Sequence, residues 1–251
     1  MKNKLSKLIL PVFIFITANT FGQTSGKVMY EGKTKLNIDI DSDHQEEMRN
    51  LPKEHIVSNE LIFDSAASLF QNATNQNKDE SFEKDTEKGK MVIKLDQPDN
   101  HFYCDLIEKK KLEQRDFLSR KFLIEISFSN STWKLTGKQR VILNYTCQEA
   151  ILQDTTRQII AWFTSSIPVS TGPYGICNLP GLVLAAELRG GDLTFEAKSV
   201  DLMPIDHKSI IRPTEGKKVT REEFNKMVME KNKEMEEQGG GNGNVIIHIK
   251  K

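Results

Sequence analysis

A mainly β fold, a single curved antiparallel sheet or half-barrel with one C-terminal α-helix, is predicted by three features of this 251-residue sequence. Apolar residues alternate with period two over many short segments, and turn-rich gaps such as "DQPDN" and "RGGD" separate several of them. Only one stretch, opening at Thr220, combines a helical apolar stripe with a capping signal. A two-layer sandwich is the alternative architecture for the same pattern.

The chain opens with "MKNKLSKLILPVFIFITANTFGQ", in which Lys2, Lys4 and Lys7 precede an apolar run and then small and polar residues. This layout predicts a signal peptide over residues 1–22, cleaved after Gly22. The run is shorter than the roughly 20 residues that span a bilayer and contains Pro11, so no transmembrane anchor is expected after cleavage. No cysteine lies at the junction, which argues against lipid anchoring. Loss of the three lysines moves the formal charge of +0 to the acidic side. A mildly acidic protein lacks the basic face that neutralises phosphates, so nucleic acid is not an expected partner.

Residues 23–214 form the predicted β domain. "KVMYEGKTKLNIDID" at 27–41 sets Val28, Tyr30, Thr34, Leu36, Ile38 and Ile40 on one face, with mostly charged residues between them. Strand character returns at 55–63. Residues 72–90 are almost wholly polar, carry too little apolar surface to offset ordering, and are read as a mobile excursion. Strand-like runs follow at 91–95, 101–106, 109–118 and 122–128, in the manner of an antiparallel meander. Residues 133–135, 139–147 and 158–164 continue the series, with Leu143, Tyr145 and Cys147 on one face of their strand. Residues 182–188 are apolar on both faces and therefore predict a central strand. Residues 193–200 alternate, and Gly190 and Gly191 can supply the positive φ of the hairpin between these two strands. The C-terminal helix belongs to residues 215–238, where Thr220 and Glu223 have capping-box spacing and Phe224, Met227 and Val228 form the stripe. Residues 239–251 read as a glycine-rich linker, "GGGNGN", and a β-prone tail, "VIIHIKK".

The chemistry-bearing residues are sparse. Cys104, Cys147 and Cys177 are disulfide candidates; their odd number implies one bridge and one remaining thiol, and spacing does not choose the pair. His44, His55, His101, His207 and His248 are isolated, and no zinc or nucleophile-elbow motif is present. His101 beside Asp99 and Asp105 is read as a set of solvated turn residues rather than a metal site. Lys109, Lys110 and Lys111 are read as a solvated strand edge, and Arg221, Glu222 and Glu223 as helix N-terminal charges and capping. No catalytic residue, metal or cofactor is assigned. Cys177 is the one candidate nucleophile, and a disulfide half or buried filler is the favoured account of it.

The central third of the chain carries "WKLTGKQRVILNYTCQEA" and then "IAWFTSSIPVSTGPYGICNLPGLVLAAEL". The order of a Trp-Lys strand, a Tyr-x-Cys-x-x-Ala strand, an Ala-Trp-Phe-Thr strand, Ile-Pro and Gly-Pro turns and "NLPGLV" resembles the GLPGLI family of exported bacterial envelope proteins. Asn178 stands at the first glycine of the signature, Val183 at its final isoleucine, and Asn144 where glycine is usual. Asn tolerates positive φ better than most residues, so backbone shape survives these exchanges. The resemblance implies export and a β fold and supplies no biochemical activity.

Within the signature, Leu179-Pro180-Gly181-Leu182 predicts a type II turn feeding a buried strand. A functional reading gives Tyr174, Ile176, Leu179 and Leu182 the mouth of an apolar groove. The expected function is that of a non-enzymatic binding protein of the periplasm or outer envelope, for an apolar ligand or an outer-membrane protein. A hydrolase or thiol-dependent enzyme centred on Cys177 is one alternative. An interaction module using the tail to extend a partner's sheet is the other.

Overall fold

Alternation in the sequence becomes alternation in burial. The computed structural model describes residues 23–36, 53–74, 79–86, 89–96, 98–127, 132–153 and 158–238; the candidate signal peptide and the tail 239–251 lie outside them. The first strand, β1 (Gly26–Lys35), buries every second residue, Val28, Tyr30 and Thr34 among them. It pairs on one side with β2 (Glu54–Phe63), whose Leu61 and Phe63 face the same core. Next come β3 (Ala67–Asn72), β6 (His101–Asp105), β7 (Lys110–Phe117) and β8 (Arg120–Ser127). On its other side β1 pairs with β13 (Leu193–Leu202), followed by β12 (Leu182–Leu188), β11 (Ile159–Thr164), β10 (Tyr145–Leu152) and β9 (Trp133–Ile142). The expectation for β12 is met: it lies between β11 and β13, and all of its residues except Glu187 are buried.

The single antiparallel half-barrel is not what forms. Twelve strands make an open, mixed sheet ending in β9 on one side and β14 (Lys217–Val219) on the other, and β14 pairs with β8 in parallel. The edges explain why the sheet stays open. β14 has three residues. β9 is largely exposed and carries Lys134, Lys138 and Arg140, the charged residues that discourage further pairing. The arrangement is layered, as in the two-layer alternative. Phe70 and Phe102 belong to the main core on one face, whereas Leu69 and Tyr103 belong to a second cluster that Ile205 and Ile210 cover on the other.

Three local readings change. The polar stretch 72–90 carries β4 (Asp79–Thr86), which pairs with β5 (Gly89–Asp96) in a separate two-stranded sheet. The strand read over 139–147 is two strands, because Leu143 and Asn144 both take positive φ and turn β9 back into β10. The signature turn is not type II. The N–H of Gly181 donates to the carbonyl of Leu179, closing a tight turn at Pro180, while the N–H of Leu182 donates to Ile167.

The helix α1 (Arg221–Gln238) begins at the expected capping box: Glu223 N–H donates to Thr220 Oγ1, and Thr220 N–H to Glu223 Oε2. Phe224 is buried against Phe122 and Ile124, with Met227 and Val228 partly buried beside it. Among the described residues no helix is long and apolar enough to cross a membrane.

Gly181 has φ +156°, and a Cβ there would lie 2.0 Å from the Thr164 carbonyl oxygen, a fixed backbone atom. Gly181→Ala is therefore expected to cost about 3 kcal/mol or more in urea unfolding. Gly137→Ala, where a Cβ meets nothing within 4 Å, should cost only the positive-φ penalty of about 1 kcal/mol.

Candidate functional site

Between β11 and β12 the chain leaves the sheet for residues 165–181 and crosses its main face. Pairs of short backbone bonds shape this connection: Val169 N–H to Ile167, Thr171 N–H to Val169, and Val183 N–H to Thr171. Four anchors hold it down. Ile167, Val169, Ile176 and Leu179 enter the main core. Ser68 on β3 and Thr171 share a hydroxyl hydrogen bond of 2.6 Å. Trp133 Nε1 on β9 donates to the Cys177 carbonyl at 3.1 Å. Cys104 on β6 and Cys177 form the disulfide, leaving Cys147 as the buried thiol.

At the middle of the connection Tyr174 sits in a left-handed conformation, φ 56° and ψ 26°, inside a short 3-10 turn at Pro173–Gly175. A non-glycine residue pays for that conformation and needs surroundings that hold it. Its ring lies 4.3 Å from the Phe102 centroid and 5.8 Å from that of Phe195, and its phenol oxygen accepts from Arg115 Nη1 at 2.9 Å. Arg115 is buried, with Phe102, Tyr174 and Phe224 around its guanidinium at 5.4, 5.5 and 5.8 Å.

Glu113 stands next to Arg115 on the same face of β7. Lys111 Nζ is 3.1 Å from its Oε1, Arg221 pairs with that same oxygen, and Arg115 Nη1 is 3.6 Å from its Oε2. Burial alone would push this carboxyl up; Lys111, Arg221 and Arg115 outweigh that effect and bring it to about 2. A carboxylate held ionised to that degree is an anchor, not a general acid. The group ties β7 to the start of α1 and, through Arg115 and Tyr174, to the connection. Lys111 and Arg221 thus depart from the roles of solvated strand edge and helix-end charge. The carbon stem of Lys111 packs where a Cβ on Gly175 would fall, 2.7 Å away.

Beyond Tyr174 the sheet face ends in a recess of about 30 Å³. Phe70, Phe102, Phe195 and Tyr174 line it together with Thr34, Asn59, Asn72 and Asn100. Asn59 Nδ2 donates to Asn72 Oδ1 at 3.1 Å, and Asn72 Nδ2 donates to the Pro98 carbonyl at 3.0 Å. Asn100 Oδ1 accepts the Asp116 N–H. Two buried oxygens in the lining, Thr34 Oγ1 and Asn59 Oδ1, have no hydrogen-bond partner among the described residues. A larger hollow of about 380 Å³ lies between the β9–β10 turn and β13, lined by Arg140, Val141 and Leu143 against Glu196 and Lys198. It is a shallow groove of mostly solvent-facing side chains, and Val141 there is 68% exposed.

Of the four residues assigned to a groove mouth, Tyr174 lines this recess. Ile176, Leu179 and Leu182 are 5%, 2% and 0% exposed and pack inside the core. His101 pairs with Asp99 at 3.2 Å, whereas Asp105 Oδ1 accepts the N–H groups of Ile107 and Glu108. Thr34, Asn59, Asn72 and Asn100 were not singled out from the sequence. The available signal was Thr34 inside the alternating apolar face of β1. Recognising it as functional required β2 and β3 to bring two amides to the same end of that face.

The chemistry open to the cysteines follows from their settings. Cys177 is oxidised, and Cys147 is buried, which pushes its thiol up to about 11 and keeps it protonated at neutral pH.

A family model described as "Protein of unknown function (Porph_ging)" matches residues 151–185, from the end of β10 into β12. No curated protein matches the chain. Two crystal structures of PNGF-II, in space groups P21 and C2, are similar with TM-scores of 0.52 and 0.50 at 16% identity. The match covers 82% of this chain and 33% of PNGF-II, so this chain spans about a third of that protein's length, and the likeness is one of fold.

Two measurements test these settings. Native protein titrated with a thiol reagent should show no accessible thiol; unfolding without reductant should expose Cys147 alone, and reduction should expose Cys104 and Cys177 as well. Because the folded pKa of Glu113 is depressed, its contribution is present above the unfolded value of 4.5 and lost as pH falls through about 2. Glu113→Gln is expected to flatten the acid limb of the stability–pH curve in that window and to cost a few kcal/mol at pH 7, read from denaturant midpoints.

Proposed function

We propose that this chain is an exported, GLPGLI-like envelope protein that works by binding, with the recess beside Tyr174 as its site. The N-terminal charge and hydropathy pattern supports export, and the "NLPGLV" hexapeptide at the entry to β12 supports the family reading. The observation that carries the binding reading is the pair of buried oxygens, Thr34 Oγ1 and Asn59 Oδ1, without a partner among the described residues, in a recess that Phe70, Phe102, Tyr174 and Phe195 also line. Burying such atoms without a partner costs free energy, and a ligand that supplies one recovers it.

The hydrolase reading is the second, and the likeness to PNGF-II over 82% of the chain favours it. Any version that runs through a Cys177 thiolate first requires reduction of its bridge to Cys104. Assaying this protein beside PNGF-II on the substrates of PNGF-II, with and without reductant, separates the two readings. Turnover would displace the binding reading.

Native mass spectrometry of protein purified from its own envelope tests binding directly. A stoichiometric bound molecule or envelope protein, lost on mutation of the recess, is the expected result. Bare protein that captures nothing from envelope extract would contradict it.

A further inference from the structure

The lining of the recess specifies what a ligand must offer. The Pro98 carbonyl can only accept, so the Asn72 side chain must present its Nδ2 there and its Oδ1 to Asn59. Asn59 in turn must give its Nδ2 to Asn72 at 3.1 Å. Among the described residues the relay leaves Asn59 Oδ1 as an acceptor with nothing donating to it, in a residue only 4% exposed. Thr34 Oγ1, on a residue 5% exposed, is the second unpartnered atom of the same lining. Among the described residues none that lines the recess carries a charge. The space of about 30 Å³ is that of a single hydroxyl or water.

We infer that the recess takes one hydroxyl group of a neutral saccharide, which donates to Asn59 Oδ1, bonds Thr34 Oγ1, and rests its carbon face near Tyr174. An anion would meet an acceptor where it needs a donor, and a cation would meet no countercharge. A purely apolar ligand would leave both oxygens unsatisfied. A hydroxyl on a sugar ring satisfies them and adds C–H surface for the aromatic wall. This assignment rests on the recess being the binding site proposed above and narrows the ligand's class.

The test uses the mature protein with a panel of neutral hexoses and their oligosaccharides, followed by calorimetry and by chemical shifts of Thr34 and Asn59. Thr34→Val keeps the shape and removes the hydroxyl, so stability should be unchanged or slightly raised while saccharide affinity falls on the order of tenfold. Binding of at least one saccharide with that loss supports the inference. If no saccharide binds but an apolar probe or an envelope protein does, and Thr34→Val weakens it, the ligand class is wrong and the binding site stands. If nothing binds, and a crystal structure shows only an ordered water between Thr34 and Asn59, both the class and the site are overturned. Comparing free hexoses with oligosaccharides tells whether one ring suffices or a chain is recognised.

Discussion

The structure depends on the seating of residues 165–181 across the face of the sheet. An open sheet of twelve strands has a broad apolar face that must be buried, and strands as far apart in its order as β6 and β9 both reach Cys177 of the connection that lies over it. The connection serves as that cover. It does so with little regular structure, so its backbone polar groups are satisfied by short local turns and by bonds to Ile167 and Thr171 instead of a ladder. Its attachment is distributed over β3, β6, β7 and β9 through Thr171, Cys177, Tyr174 and the Cys177 carbonyl. The disulfide closes a sequence separation of 73 residues, which in the chain-entropy account stabilises by roughly 4 kcal/mol.

The charged cluster extends the same logic. A buried carboxylate alone would be strongly unfavourable, and Glu113 is tolerable only because three cations converge on it. Those cations come from β7 and α1, and Arg115 passes the constraint on to the Tyr174 phenol. Helix, sheet and connection are therefore coupled at one point. Tyr174 bears the consequence, being held in a left-handed backbone conformation where its ring forms one wall of the recess. The site is thus a by-product of how the face is covered: Tyr174, at the middle of the connection, borders the polar residues Thr34, Asn59 and Asn72 of β1, β2 and β3.

Much of this was legible in the sequence where a local rule decides it. Period-two alternation located β1, β2 and β13, an unbroken apolar run located β12, and the capping box located the start of α1. Asn144 and Asn178 take positive φ, a conformation asparagine tolerates better than most residues. What was not legible depends on contacts far apart in the chain. Asn144 is the local hint of a turn there, but a leucine at positive φ beside it is a choice made by the pairing of β9 with β10. The open edges follow from the length of β14 and the charges on β9, and these become edges only once strand order is known. Cysteine pairing likewise depended on β6 lying under the connection. The apolar residues of the signature pointed to a groove, yet Ile176, Leu179 and Leu182 are the cover's own roots in the core. The recess is built instead from Thr34, Asn59, Asn72 and Asn100, each unremarkable in its own segment.

The central claim, that the connection is a rigid second layer pinned to the sheet, is tested most directly by amide hydrogen exchange on oxidised and reduced protein. The account predicts that Val169, Thr171, Ile176 and Val183 exchange about as slowly as the centre of β12 and β13 in the oxidised protein. On reduction the connection's amides should speed up while β13 does not. Fast exchange across 165–181 with the disulfide intact would contradict it.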